Sequence, residues 1–395
     1  MKTLYVLFFD PYSTENIGVK KKIDNQLFSI RKLGLDVDIA YLQNSSFILE
    51  KAGQTKEIFS IRKGFNNYRK GITQVLKKIV NQKTYKQFYF RFPGSVDWYF
   101  FNILKYITKR KNFVILELPT YPYEEERKLF LKSEKEKKKY VSYILRRQVY
   151  FTERIFLPRL KKYVKNIVTF MSYDKIWGID TIVIENGVNT DEYPPVKFFD
   201  ANTKISETSL VLTGVANISI WHGFDRIIEG IKEYNLTERN NKQYDIIFNI
   251  VGNGAELNRL KKIVDMHELN DYVHFLGPLY DDDLKKVYET TNLAIGSTGM
   301  HRINLSEGST LKAKEYCSLG IPFIIGYKEK GIPEDFNYYL KVPADESPID
   351  MRKIIDFYNS LPNREQMSNK MHEFAILNFS WDVQMKKVFF GGEIK

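Results

Sequence analysis

One cysteine, Cys317, stands in 395 residues, so no intrachain disulfide can brace the chain, and a reducing compartment suits it. No uninterrupted apolar run reaches the roughly 18 residues that a membrane-spanning helix needs. The opening MKTLYVLFFD has an apolar run only from Leu4 to Phe9, which stops at Asp10 without a small-residue cleavage site. It reads as a buried first strand rather than an export signal, and a cytosolic protein is the expectation. Histidine is scarce. His222, His267, His274, His301 and His372 are the five, and the first half has none. Clusters of His, Asp and Glu at metal-ligand spacing are missing, as is a Ser–His pairing, so a metal centre and an acyl-transfer hydrolase both lack support. There is no helix-turn-helix, zinc-finger or RRM signature and no solenoid repeat. The one charge run, KSEKEKKKY, reads as a solvated helix face.

What the chain does have is core-forming material: 43% hydrophobic and 15% aromatic residues, enough to exclude disorder. Its length predicts two domains of roughly 150–200 residues. The net charge of +12 is uneven. Residues 1–195 carry 36 Lys and Arg against 20 Asp and Glu, and the remainder 24 against 28. Such an imbalance predicts that only the first half faces an anionic partner: nucleic acid, a phospholipid surface or a phosphorylated substrate.

Short apolar runs alternate with helical stretches in both halves. TLYVLFF, LDVDIAYL, QFYFRF, NFVILEL, NIVTFM and DTIVIEN read as strands, with helices near 19–33, 65–82 and 98–109 and a long basic helical segment over 124–165. After the turn-rich ENGVNTDEYPP a second alternation runs through SLVLTGVA, YDIIFNIVGNG, YVHFLG, NLAIGS and IPFIIGY. The pattern predicts an α/β protein of two doubly wound, Rossmann-like domains facing a cleft, with ligands at the C-terminal ends of the strands.

The stretch SEGSTLKAKEY (306–316) poses a problem of charge. A helix is expected to start near Ser309 and to stop at Gly320 before Pro322, yet Lys312 and Lys314 occupy its beginning, where the unpaired N–H groups favour acids. A bound anion resolves the conflict. The amides of Ser309, Thr310 and Leu311 would hold two phosphates, with Lys312 adding a point charge. Glu307 would accept hydrogen bonds from sugar hydroxyls, and Glu315, about two turns along, would grip a ribose diol. Spacing alone equally allows three ordinary surface charges.

Glu307, seven intervening residues, Glu315 and then CSLGIP resemble the Glu-x7-Glu motif of the retaining GT-B glycosyltransferases of family four. Other segments follow in that family's order: IENGVNTDEYPP (184–195), GVANISIWHGFDRIIEGI (214–231), IVGNGAELNRLKKI (250–263) and YVHFLGPLYDDDLKKVYETTNLAI (272–295). The resemblance covers about 180–330 and the first half only in outline. It implies a retaining, metal-independent transfer from a nucleotide diphospho-sugar, with no cofactor beyond that donor. Glu307 would meet the donor sugar, Glu315 the ribose and Lys312 the diphosphate, with Gly252 and Asn253 also at the donor. The family's usual arginine and lysine are replaced by Val215 and His222, so His222, Arg302 and Lys312 are the candidates for the missing positive charge.

In the first half, Gly18 in the loop at 16–18 is expected near the donor phosphates. Arg91 (in RFPG) and Glu117 (in ELPTYPYEEE) are candidate catalytic groups on the acceptor side, with Glu117 as a general base; the alternative is a structural Arg91–Glu117 ion pair. Tyr121 and Tyr123 are candidate sugar-stacking platforms. Segments 62–83 and 127–165 interleave basic with apolar residues at helical spacing, as a surface lying on an anionic leaflet would. The expectation is a cytoplasmic enzyme peripheral to the inner face of the cell membrane, with a polyprenyl-diphosphate-linked glycan as acceptor in surface polysaccharide (capsule or exopolysaccharide) synthesis. Nucleic-acid binding or glucosylation, and a non-catalytic glycan-binding partner, are the alternatives. The expected domains are 1–192, 193–374 and a C-terminal helix, 375–395, returning to the first.

Overall fold

A computed structural model describes residues 2–13, 16–51, 56–61, 65–136, 138, 140–196, 208–238 and 241–391. Parts of the basic segments (62–64, 137 and 139) lie outside them. The chain forms two compact units, Met1–Glu185 with Gln384–Lys395, and Asn186–Val383.

In the first unit the elements run β1 (Thr3–Val6), α1 (Ile17–Lys32), β2 (Val37–Gln43), β3 (Ser46–Glu50), β4 (Lys56–Ser60), α2 (Phe65–Asn81), β5 (Gln87–Arg91), α3 (Trp98–Thr108), β6 (Phe113–Leu118), α4 (Glu124–Glu136), α5 (Tyr140–Phe156), β7 (Asn166–Thr169), β8 (Lys175–Ile176) and β9 (Ile179–Val183). They build a nine-stranded sheet ordered β4-β3-β2-β1-β5-β6-β7-β9-β8. Its centre is parallel and buried on both faces, which is why TLYV and QFYFR read as continuous apolar runs. Leu4, Val6, Phe88, Phe90 and Leu116 form the core with the inner faces of α2 and α3. The β2–β3 antiparallel pair is a feature the alternation argument overlooks. Its two-residue turn, Asn44 (φ 45°) and Ser45 (φ 65°), has the double left-handed backbone of a tight hairpin, and asparagine there is the signal. The basic segment over 124–165 forms two helices, α4 and α5, followed by a short 3₁₀ turn, rather than one long one.

The second unit continues with β10 (Ser209–Asn217), α6 (Phe224–Thr237), β11 (Asp245–Asn253), α7 (Leu257–Met266), β12 (Val273–Gly277), α8 (Asp281–Glu289), β13 (Leu293–Ile295), β14 (Glu307–Gly308), α9 (Leu311–Leu319), β15 (Phe323–Ile325), β16 (Lys328–Glu329), β17 (Tyr339–Lys341), α10 (Met351–Ser360) and α11 (Arg364–Phe379). Its six-stranded sheet is parallel in the order β12-β11-β10-β13-β15-β17, the doubly wound arrangement whose strand order reverses at β10. β10 and β11 pair over nine residues, from Ser209↔Asp245 to Asn217↔Asn253, so their ends reach the same level. α11 buries Met367, Met371, Ala375 and Phe379 in this unit's core, and Val188 pairs with Phe379 through its amide. The boundaries therefore fall at 185 and 384 rather than at 192 and 375, because apolar burial keeps α11 with the second unit. The last helix, α12 (Trp381–Phe390), starts in the second unit and ends in the first.

Candidate functional site

The C-terminal ends of β10 and β11 in the second unit open onto a cavity of about 430 Å³. Val215, Ala216 and Asn217 supply one side, Val251, Gly252 and Asn253 the next, and Pro278, Leu279 and Tyr280 the loop after β12. Tyr193, Leu284, Tyr288, Lys312 and Glu315 complete the wall. The strand ends and the turns that follow approach this closely only because glycines stand where no Cβ fits. At Gly252 (φ 125°) a Cβ would lie 1.8 Å from the Ala216 carbonyl oxygen, and at Gly254 (φ 156°) 2.2 Å from that of Ile218. The Ile218 amide donates to the Asn253 carbonyl at 2.7 Å and fastens the two loops together.

α9 is capped by Thr310, whose hydroxyl accepts from the Ala313 amide, and is ended by Gly320 in the left-handed conformation (φ 68°). The start is thus one residue later than the sequence reading places it, and Glu315 lies one turn into the helix, not two. Lys312 is its second residue. The ammonium of Lys312 is shut off from solvent without a hydrogen-bond partner. Burial lowers its pKa from 10.5 to about 8, with the Glu315 carboxylate pulling the other way. A buried, unpaired ammonium is costly, and here it stands in a cavity wall beside the positive end of a helix.

The expectation that the amides of Ser309 to Leu311 are all open is corrected. The Thr310 amide and hydroxyl already donate to the buried Glu329 carboxylate, at 3.0 Å each. Of the four first-turn donors, Thr310 and Ala313 are taken, which leaves Leu311 and Lys312. Ser309 Oγ accepts from Lys314, whose side chain is completely buried. Glu307 forms the short strand β14, paired in parallel with β16, and its exposed carboxylate lies 3.7 Å from the Lys330 ammonium. Glu329 and Tyr327, which tie this segment down, were missed from the sequence, and Lys314, noted there only for its charge at the helix start, is turned to Ser309 and Glu329. A lysine among the buried residues of an apolar helix face is the signal that an acid must lie opposite.

His222 and Arg302 do not supply the missing charge. His222 is buried, its Nδ1 accepts from the Ser219 amide at 3.0 Å, and its pKa falls to about 3 through burial and then the nearby Lys312. The ring is neutral at any physiological pH. The five N–H groups of Arg302 are spent on Asp225, Glu346 and the Ile220 carbonyl, so none is left for a phosphate. Of the donor-side residues singled out in this unit, Gly252, Asn253, Lys312 and Glu315 share the cavity wall; Glu307, His222, Arg302, Ser309, Thr310 and Leu311 are not part of it.

In the first unit Gly18 lies within the opening turn of α1 rather than in a loop. Glu117, at the end of β6, is fully buried and accepts from Tyr89 (2.7 Å), Tyr5 (3.2 Å), Gln26 (3.2 Å) and Arg91. Burial alone would raise its pKa, but Arg91 and Lys22, with the hydrogen bonds, hold it below the ordinary carboxylate range. A saturated, shielded carboxylate cannot take a proton from an acceptor hydroxyl. Arg91–Glu117 is the structural ion pair of the alternative reading. Tyr123 is buried, stacked on Phe92 at 5.3 Å with the Arg127 guanidinium 3.9 Å over its ring, so it is a core residue rather than an open platform. Tyr121, half-buried, packs edge-on against Tyr123, Tyr173 and Trp177. A separate cavity of about 370 Å³ in this unit is lined by Arg91, Phe92, Thr120, Tyr123, Arg127 and Tyr150, among others.

Residues 196–371, most of the second unit, match the model of the family described as glycosyl transferases group 1. No curated protein matches the sequence. Among solved structures, sucrose-phosphate synthase from Thermosynechococcus elongatus is similar over 98% of this chain and 97% of its own, at 16% identity and TM-score 0.55. A trehalose-6-phosphate structure from E. coli bound with UDP-2-fluoro glucose is similar over 99% and 98%, at 10% identity and TM-score 0.54. The pneumococcal O-GlcNAc transferase GtfA, in complex with UDP and GlcNAc, is similar over 98% and 97%, at 10% identity and TM-score 0.51. At these identities the likeness is one of fold. The chain has two Rossmann-like domains, as in GT-B enzymes, and the second carries the group 1 glycosyltransferase match.

Proposed function

We propose that this protein is a retaining, metal-independent glycosyltransferase that takes a sugar from a nucleotide diphospho-sugar. The reading rests on one observation above all: the unpartnered, buried Lys312 ammonium in a cavity wall at the first turn of α9. A diphosphate there would take the Leu311 and Lys312 amides and the Lys312 ammonium, supplying the counter-charge that burial now withholds. Glu315, on the same wall one turn along, would hold the ribose diol through both carboxylate oxygens. The base would lie between the β11 end and the loop at Pro278–Tyr280. Glu307, held at the edge of α9 by the β14–β16 pair, would contact the donor sugar. Neutral His222 and saturated Arg302 leave Lys312 and the helix terminus to stabilise the leaving diphosphate beside an oxocarbenium-like centre. That charge makes a metal unnecessary.

On the acceptor side we place a glycan linked to a lipid diphosphate, in the assembly of surface polysaccharide or a related glycoconjugate, at the inner face of the cell membrane. The exposed residues of α5 support this reading: Val141, Ile144, Phe151 and Ile155 lie outward, with Arg147 and Arg154 among them. No helix among the described residues is long and apolar enough to cross a membrane. A mass-spectrometric screen of UDP- and GDP-sugars with a polyprenyl-diphosphate sugar tests the whole proposal. Transfer from one donor, abolished in Lys312→Ala, is the expected result. Binding of nucleic acid with no response to any nucleotide would overturn it.

A further inference from the structure

Beneath the Glu307 segment lies a closed polar network for which the transfer reaction itself has no use. Glu329, almost fully buried on β16, accepts from the Thr310 amide and hydroxyl and from the Tyr327 hydroxyl at 2.8 Å. The β14–β16 pairing sets Gly308 opposite Glu329 and Glu307 opposite Lys328. The Lys328 amide donates to the Ser306 carbonyl and the Lys330 amide to that of Gly308, so the whole 306–310 segment is sewn to β16. From α9, Lys314 reaches Ser309 Oγ at 2.6 Å and acts on Glu329 through space. Among the described residues the other titratable groups around Glu329 are the Cys317 thiol on α9, the Tyr327 hydroxyl just ahead of β16 and the Tyr339 hydroxyl on β17.

This carboxylate therefore occupies the first amide of the helix whose next two amides are open. An anion bound at those two amides sits beside a carboxylate, and two like charges in a buried site cannot both persist without cost. We propose that Glu329 is the positioning residue of the donor site: it fixes the Glu307 segment against α9, and a nucleoside diphosphate entering at Leu311 and Lys312 is bound together with one proton, taken from solvent onto a Glu329 carboxylate oxygen. The inference rests on the donor reading above. The carboxyl is poised for this, since burial above all pushes it up to about 7, against the opposing pull of Lys314 and of the Tyr327 and Thr310 hydrogen bonds. Release of the nucleotide would return the proton to solvent and restore the ionised cap.

The test is titration calorimetry of the full chain with UDP and with GDP at pH 7, in buffers of different ionisation enthalpy, comparing wild type with Glu329→Gln. Protons taken up by the nucleotide itself or by Lys312 are common to both chains, so the difference isolates Glu329. Wild type should take up about half a proton more than the variant, and its affinity should fall severalfold more between pH 6 and 8. Should Glu329→Gln not fold, Tyr327→Phe serves instead. Losing that donor raises the carboxyl further, so the fall in affinity should move to higher pH. Equal proton uptake in wild type and Glu329→Gln, or an unmoved pH profile in Tyr327→Phe, overturns the role of Glu329 alone. Failure of the wild type to bind either nucleotide overturns that role and the donor reading together.

Discussion

Lys312 gives the sharpest prediction, because the same buried charge should weaken the empty protein and strengthen the liganded one. With its pKa lowered from 10.5 to about 8, the ammonium costs folding energy wherever it is protonated. At 1.36 kcal/mol per unit the full cost is roughly 3 kcal/mol, an upper bound since the side chain is not wholly enclosed. The sign follows from linkage. Between pH 8 and 10.5 the unfolded chain binds more protons at this lysine than the folded one, so stability rises with pH across that window. Below pH 8 the cost is constant and complete. Lys312→Met, similar in length and free of charge, should therefore stabilise the empty protein by about 1–3 kcal/mol at pH 7. At roughly 2–4 °C per kcal/mol the melting temperature should rise several degrees, and the gain should shrink toward pH 10. Ligand binding should go the opposite way. A nucleoside diphosphate at 100 times its dissociation constant stabilises wild type by about 2.7 kcal/mol. Loss of one charge-assisted contact should weaken affinity about 10- to 100-fold, reducing that stabilisation to roughly 0.4–1.4 kcal/mol. Differential scanning fluorimetry with and without UDP or GDP reads both effects. A Lys312→Met protein that melts lower than wild type, yet shifts by the same amount with nucleotide, would refute the reasoning.

Other measurements bear on the rest of the molecule. Glu117→Gln should destabilise the first unit by about 3–5 kcal/mol by stranding Arg91, while nucleotide binding by the intact chain at low temperature stays unchanged. Because the Glu117 carboxyl is held below its ordinary 4.5, its stabilisation is complete above that pH and is lost as pH falls through the folded value, so the variant's acid-unfolding curve should be shallower. Gly252→Ala forces a Cβ into the Ala216 carbonyl and should abolish nucleotide binding or folding of the second unit, whereas alanine at Gly34, with open space around its Cβ, should cost little beyond its backbone strain. Flotation with vesicles containing anionic lipid should capture the protein at low salt and release it at high salt; Arg147→Glu with Arg154→Glu should weaken capture, and salt-independent capture would contradict the electrostatic reading.

Period and punctuation in the sequence carry most of the fold. Apolar runs of four to nine residues separated by helical stretches can bury both faces only in parallel sheets flanked by helices, and the strand order of the second unit follows that rule. Gly320 and Pro322 mark the end of α9, and Lys312 stands out at a helix start that favours acids, all from local chemistry. Tertiary structure decided which charges were still available. Arg91, Arg302 and Lys312 look alike as letters. Only the folded chain spends the first on Glu117 and the second on Asp225 and Glu346, leaving the third unpaired. The same holds for acids: Glu117 is closed in by Tyr89 and Tyr5 from other strands, and Glu329 by Thr310 across the β14–β16 pair, whereas the position of Glu315 on a cavity wall appears only in the folded chain. Local propensity depends on neighbours a few residues away, but a side chain's free valence and its pKa depend on partners tens of residues distant. That is why the sequence could mark the helix and its lysine, and only packing could single out the cation left without a hydrogen-bond partner.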